Sequence, residues 1–455
     1  MKPDLQHRRR FAVLLSTVLL PVVIASCGGG GGDSTPTPPP PRTPDWGTVQ
    51  NIGFTTDSAA LPQIAMDDAG KVVAVWHGTD GDYKHIRANY FNGSSWGEPE
   101  RLSTYQSGNW AEQPRVAMDG SGNAVAIYHQ LDTDNKYYIW ANYFNGAAWS
   151  DAQQVYGASA HSPDVAMGAA SHPIAVWHQY VAQGGGDSTC IYAKQFNGAD
   201  WETDGAPIGT CSAGNFAYYP RIARAGGGQA MAVWQQGVGG GFTNIWANSF
   251  DGAAWGTAAL IENINLYDAH APQIAMNGSG QAMAIWRLSN GTRETVRARY
   301  FNGTAWGTEA TAIDFSLEGN ASNPRVVMDA AGQAIAVWEQ LADNGRYFIG
   351  ANFFDGTSWG TATRISLDPL EIYDARYPQI AMDGSGNAMA IWHLSSGSEK
   401  LIVVSYFNGT SWDNAPRNIG SSSPGPAGPQ IAMNGAGRAM AVWFNNGNIQ
   451  ARHFD

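Results

Sequence analysis

A Pro-to-aromatic unit of fixed length constrains this chain more than any other feature. It starts at Pro62, Pro114, Pro163, Pro220, Pro272, Pro324, Pro378 and Pro429, and closes fourteen positions later on Trp76, Tyr128, Trp177, Trp234, Trp286, Trp338, Trp392 and Trp443. Eight copies about fifty residues apart define a repeat architecture, in which each copy is one supersecondary unit and the stack is one domain. The 455 residues therefore read as one folded body, not the two or three domains that length alone suggests.

In the copy from Pro378 to Trp392, Gln379 to Asp383 reads as a short apolar strand. Asp383-Gly384-Ser385-Gly386 carries turn chemistry, since Asp bonds its own backbone and Gly accepts a positive φ. Asn387 to Trp392 alternates Ala with Met or Ile, the period of two that marks a strand. Ile402 to Phe407 supplies a third strand, Asn408-Gly409 a tight turn, and Trp412 the start of a fourth strand. Four short antiparallel strands per copy make a propeller blade. The third-strand Phe and the following Trp are five apart in seven copies, from Phe91 and Trp96 to Phe407 and Trp412, but the eighth stops at Phe454-Asp455. Asp45 to Gln50 reads as an orphan fourth strand. The expected fold is all-β, an eight-bladed β-propeller of four-stranded antiparallel blades, closed by the N-terminal strand joining the C-terminal blade.

Three segments precede or make up this body: a leader over 1–26, a tether over 27–44 and the propeller over 45–455. Arg8, Arg9 and Arg10 followed by the apolar run Phe11 to Ile24 form a signal-peptide pattern, too short to span a membrane. Ile24-Ala25-Ser26-Cys27 resembles the bacterial lipobox, which implies a diacylated Cys27 and a membrane partner through the N-terminal lipid. Gly28 in place of Asp implies sorting to the outer membrane. Gly28 to Pro44 is Gly- and Pro-rich and reads as a spacer. Cys190 and Cys211, the other two cysteines, are expected to pair outside the cytoplasm. The formal charge of −12 argues against nucleic acid as a partner, because phosphates need a basic footprint.

In a four-stranded meander the 1–2 and 3–4 turns share one rim, and here their lengths are fixed. The 2–3 and 4–1 loops on the other rim vary, and loops on a rigid scaffold are where recognition sits. That rim carries Tyr105, Trp110, Tyr218, Tyr219, Tyr267, His270, Tyr373, Arg376 and Tyr377 as candidate ligand-binding residues. Nearer the axis, the residue after each repeat Pro is Gln63, Arg115, Asp164, Arg221, Gln273, Arg325, Gln379 or Gln430. Fourteen positions further on stand His77, His129, His178, Gln235, Arg287, Glu339, His393 and Phe444. Arg115, Arg221 and Arg325 fall on alternate blades and are candidates for holding an anion. Cross-strand pairing within blades, as of Arg325 with Glu339, Asp164 with His178 and Gln379 with His393, is the more economical reading of both sets.

The repeat body resembles β-propeller lipoproteins of bacterial outer membranes. The Asp355-Gly356-Thr357-Ser358-Trp359 turn is similar to the Asp-box of sialidase-type propellers. The run from Ala65-Met66-Asp67 to Trp76 looks like the tryptophan-docking motif of the eight-bladed quinoproteins. Both motifs are structural in those families. No GxSxG, HExxH or GxxxxGK[ST] is present, and no catalytic residue, cofactor or metal set is read from the sequence. The expectation is a non-enzymatic, lipid-anchored envelope module that binds glycan or an envelope or surface protein through its variable rim. The alternative is a carbohydrate-active enzyme, a sialidase-like hydrolase or a lyase, with its site at the mouth of the axial channel.

Overall fold

Small and bulky side chains alternate along each second strand, and this sets the architecture. In Ala388–Ser396, Ala388, Ala390 and Trp392 pack on Ile335, Val337 and Ile349 of the preceding blade. Met389 and Ile391 face the other way and meet Ala439, Ala441 and Trp443 of the next blade. Rows of Ala let two sheets approach, and the aromatic fills the space left beside them at crystal-like density. Every closing aromatic of the repeat unit is fully buried in such a seam. The last seam sets Met440 and Val442 of blade eight against Val72, Ala74 and Trp76 of blade one, so the stack closes on itself.

The computed structural model describes residues 45–54, 58–81, 83–104, 110–168, 172–182, 186–203, 205–238, 241–262, 266–366, 373–396, 399–421 and 428–455. The signal peptide over 1–26, the lipidation site Cys27, the tether through residue 44 and Tyr105 lie outside the described residues. Eight four-stranded antiparallel blades are present, the third and fourth joined into one eight-stranded sheet by a parallel bridge from Thr189 to Phe216. Blade eight takes its outer strand from the start of the body. Gln50 lies opposite Ala451 and Asn51 opposite Gln450, while Trp46 bridges to Phe454. Ile52 N donates to Ile449 O at 2.9 Å. The eight-bladed ring with this closure is the fold that the repeat spacing predicts.

Two details differ from the sequence reading. Trp412 and its equivalents form single bridges to the third-strand Phe, and the fourth strand proper follows later, as in Arg417–Ser421. Outer strands of only two to five residues leave little unpaired edge. In blades one to seven the first strand also begins before the repeat Pro, as in Asp374–Met382, and carries the Pro within a bulge, whereas in blade eight it starts at Gln430. Pro has no N–H to lose in the bulge. The residue before the Pro is left-handed in every blade, with φ of 50° at Leu61, 52° at Gln113, 49° at Ser162, 53° at Tyr219, 52° at Ala271, 50° at Asn323 and 57° at Tyr377. Only blade eight uses glycine, at Gly428. Such backbone costs on the order of 1–3 kcal/mol per non-glycine residue and is kept where the surrounding structure over-determines it.

In blade three, Cys190 of the strand Ser188–Gln195 is disulfide-bonded to Cys211, with Cα atoms 5.3 Å apart. The bond ties the third strand to the loop that leads into blade four.

Candidate active site at the channel mouth

The bulge decides which side chains meet. It moves the partner of each second-strand residue back by three positions, so that Arg325 lies opposite Val337, Asp164 opposite Val176 and Gln379 opposite Ile391. The expected pairs Arg325 with Glu339, Asp164 with His178 and Gln379 with His393 do not form. Glu339 instead lies opposite Ser322, His178 opposite His161, and His393 opposite Arg376. The sequence set the wrong register because it placed the strand start at the Pro.

Freed from those pairs, the residues after the repeat Pro converge. Gln63, Arg115, Asp164, Arg221, Gln273, Arg325, Gln379 and Gln430, one per blade, line a single axial cavity of about 230 Å³. Neighbouring blades are linked here, not strands within a blade. Arg325 Nε donates to Gln379 Oε1 at 3.1 Å, and Asp164 Oδ2 accepts from Ile222 N at 3.0 Å.

Above this ring, Leu61, Gln113, Ser162 and Tyr219, all left-handed pre-proline residues, join Arg115 and Arg221 around a second cavity of about 270 Å³. Tyr219 is 52 % exposed and connects the arginines to an aromatic cluster on blades two to four. In that cluster the His178 ring lies 5.2 Å from Tyr218, 6.4 Å from Tyr219 and 5.5 Å from His161, on which it stacks. His161 is 4.9 Å from Tyr137 and 5.7 Å from His129, which in turn lies 4.7 Å from Tyr137. Tyr180 edges both His161 and His178.

Burial, reinforced by the neighbouring imidazoles, lowers His161 to about 4 and His178 to about 3. Both rings are therefore neutral at physiological pH, and His178 Nδ1 has no hydrogen-bond partner among the described residues. Glu112 is lowered to about 2 by His129, whose Nε2 lies 3.9 Å from its carboxylate, and by Lys84, against the opposing effect of burial. Lys84 pairs with Glu112 and lies 5.0 Å from the ring of Trp110, which is 41 % exposed. Burial raises Tyr137 and Tyr180, so these phenols keep their protons.

Of the candidates read from sequence, His129, His178, Trp110, Tyr218, Tyr219, Arg115 and Arg221 come together on this side of the mouth. Arg325 reaches the axial cavity from blade six. His77 stands on blade one opposite Ala60, and His270 on blade five opposite Arg287, beside which Tyr267 packs on Phe242. Tyr373, Arg376, Tyr377 and His393 belong to blade seven. Arg376 is committed to Glu339 at 3.3 Å and to the Tyr347 ring, and Tyr377 N donates to Glu339 Oε1 at 2.6 Å, so this group braces blade six to blade seven. Sequence reasoning missed Lys84, Glu112, Tyr137, His161 and Tyr180. The signal for two of them was present, since Glu112 and His161 both stand two positions before a repeat Pro, where Tyr218, His270 and Arg376 stand in other copies.

No protein-family model and no curated protein matches the chain. Solved structures do match. One is a polysaccharide lyase described as an ulvan lyase, 10% identical, aligned over 77% of this chain and 95% of its own, with a TM-score of 0.50. Another is a puromycin-hydrolyzing peptidase of Mycobacterium tuberculosis, 11% identical, over 88% of this chain and 61% of its own, also at 0.50. At these identities the likeness establishes the fold. Both proteins are nevertheless enzymes, and the mouth gathers groups suited to proton transfer. The expectation of a non-enzymatic module for bare glycan or protein binding is corrected accordingly.

Proposed function

We propose that the protein is a carbohydrate-active enzyme that cleaves an acidic polysaccharide by elimination at the channel mouth. The observation that carries this reading is the cavity in which Tyr219 joins Arg115 and Arg221 beside the stacked His161 and His178. Elimination from a uronate needs three things: a cation on the carboxylate, a base for the proton on C5, and an acid for the departing oxygen on C4. Arg115 and Arg221 supply the first, since guanidinium groups match carboxylates geometrically. Neutral His161, half-buried at the mouth, accepts the C5 proton, with His178 stacked behind it to position the ring. The phenol of Tyr219 donates its proton to O4. The C5–H electron pair forms the C4=C5 double bond as the C4–O bond breaks, and no water is consumed.

Hydrolysis is less well served, because it calls for two available carboxyl groups flanking the bond. Asp164 is held by Ile222 N, Glu112 by Lys84 and His129, and Glu339 by Ser322, Asn323, Arg376 and the backbone of Tyr377. The ulvan lyase of the same fold is by its description a polysaccharide lyase, which is consistent with this chemistry.

Incubation of the purified protein with uronate-containing and neutral polysaccharides tests the proposal. Ultraviolet absorbance from the conjugated double bond is expected to rise with the acidic substrates only. New reducing ends without that absorbance, or turnover of neutral chains alone, would overturn it. The leader supports a further part of the reading, attachment to the bacterial cell envelope, at the outer membrane, by lipid on Cys27. Labelled palmitate is expected to enter the wild-type protein and not Cys27→Ser, and equal labelling of both would refute the anchor.

A further inference from the structure

We infer that the axial cavity below the mouth is an oxyanion-binding site, formed by Arg115, Arg221 and Arg325, that receives one acidic substituent of the glycan chain. The identity of the carrier rests on the function proposed above, whereas the binding of an oxyanion does not.

Three features of the ring support this. The first is charge. Three guanidinium groups face one carboxylate, an excess of positive charge at the axis of a chain whose formal net charge is −12. A cavity with low-dielectric walls focuses such a field on an anion at its mouth. The second is unused hydrogen-bonding capacity. Arg221 spends one nitrogen on Pro220 O at 3.0 Å, and Arg325 spends two, on Pro324 O at 2.9 Å and on Gln379. Among the described residues Arg115 makes no hydrogen bond, and its ion pair to Asp164 is 3.6 Å long. All three arginine side chains line the cavity, and Arg donors fit planar or tetrahedral oxyanions in pairs. The third is mutual repulsion. Burial, and then the charge of Arg221, lowers both Arg115 and Arg325 to about 10, so these two cations are weakened by burial and by their like-charged neighbour yet remain protonated at neutral pH. An oxyanion among them relieves that repulsion.

Size restricts the ligand. About 230 Å³ is below the roughly 300–1,000 Å³ of pockets that enclose drug-sized molecules, so the cavity takes a group and not a whole residue of the chain. The group is a sulfate ester or a carboxylate that dips into the axis while the backbone of the glycan lies across the mouth, where Leu61, Tyr219 and Tyr377 are exposed.

Inorganic sulfate is the probe. Calorimetry and thermal unfolding of the whole protein are compared in sulfate and in chloride at equal ionic strength. Saturable sulfate binding with a rise in Tm is expected, and Arg325→Gln should weaken it about tenfold or more, the loss of one charge-assisted contact. Identical melting in the two salts, or undiminished sulfate binding by Arg325→Gln, would overturn the site. The comparison of salts on the wild-type protein stands even if the variant folds poorly. Sulfate should also inhibit cleavage of the acidic polysaccharide competitively, and non-competitive inhibition would overturn the assignment to a substituent of the substrate. Because binding is read at equilibrium, sulfate binding without turnover defeats only the proposed reaction, and turnover without sulfate binding defeats only this site.

Discussion

Replacing His161 by Ala is expected to lower kcat on acidic polysaccharide by a factor of about 10²–10⁴, the usual contribution of a positioned general base. KM should change little, because the arginines and exposed aromatics that hold the chain remain. Tyr219→Phe should cost a comparable factor by removing the proton donor while keeping the ring. His453→Ala, on the third strand of blade eight, should leave the rate unaltered. The pH profile gives a sharper readout. An ordinary imidazole would begin to lose basicity below its unperturbed value near 6.5. His161 is lowered to about 4 by burial and by His129, so its acidic limb should fall near 4 and not near 6.5. The same depression affects stability in a definite direction. Between about 3 or 4 and 6.5 the unfolded chain binds protons that folded His161, His178 and His393 refuse, so folding weakens as pH falls through that window. Rates are therefore compared only above the onset of acid unfolding, followed by tryptophan fluorescence. An acidic limb that stays near 6.5 in a folded enzyme, or full activity in His161→Ala, would remove His161 from the reaction.

Much of the fold was legible because its physics is local and repeated. Ala388, Ala390 and Trp392 on one face, with Met389 and Ile391 on the other, encode both the strand and its stacking on two neighbours. The break between Phe454 and the missing Trp encoded the closing partner. The site was less legible because it depends on a backbone conformation that ordinary propensities disfavour. A residue before Pro is normally extended, and a left-handed Tyr219 or Tyr377 runs against that tendency. Without the bulge, Arg325 reads as the neighbour of Glu339. With it, the arginine turns to the axis, and His161, three positions before Asp164, meets His178. Tyr137 and Tyr180 lie on or near loops whose lengths differ between copies, so no repeat comparison could align them with the histidines they touch.

Closure of the ring gives the largest expected effect on stability. Trp46→Ala should cost about 3–5 kcal/mol, the range for removing a large buried aromatic. Trp46 is 8 % exposed, its ring lies 5.5 Å from that of Phe454, and its cluster includes Trp443, Ile419 and Ile402. Deleting residues 45–52 should be more damaging still, because it also removes Ile52 from the seam with Trp76 and bares the whole edge of Asn448–Phe454 for pairing with other chains. In an open solenoid the loss of a terminal strand frays only the end repeat. In a ring, blade eight is the neighbour of both blade seven and blade one, so its loss opens seams on two sides at once. Denaturant unfolding should therefore show the whole body shifting to a lower midpoint, and sedimentation should show self-association of the deleted form. Val49→Thr, at a position 41 % exposed between the two contacts, should change stability by less than about 0.5 kcal/mol. A deletion variant that unfolds at the wild-type midpoint as a monomer would mean that the ring is held by the Val72–Met440 seam alone, with the outer strand a passive cover.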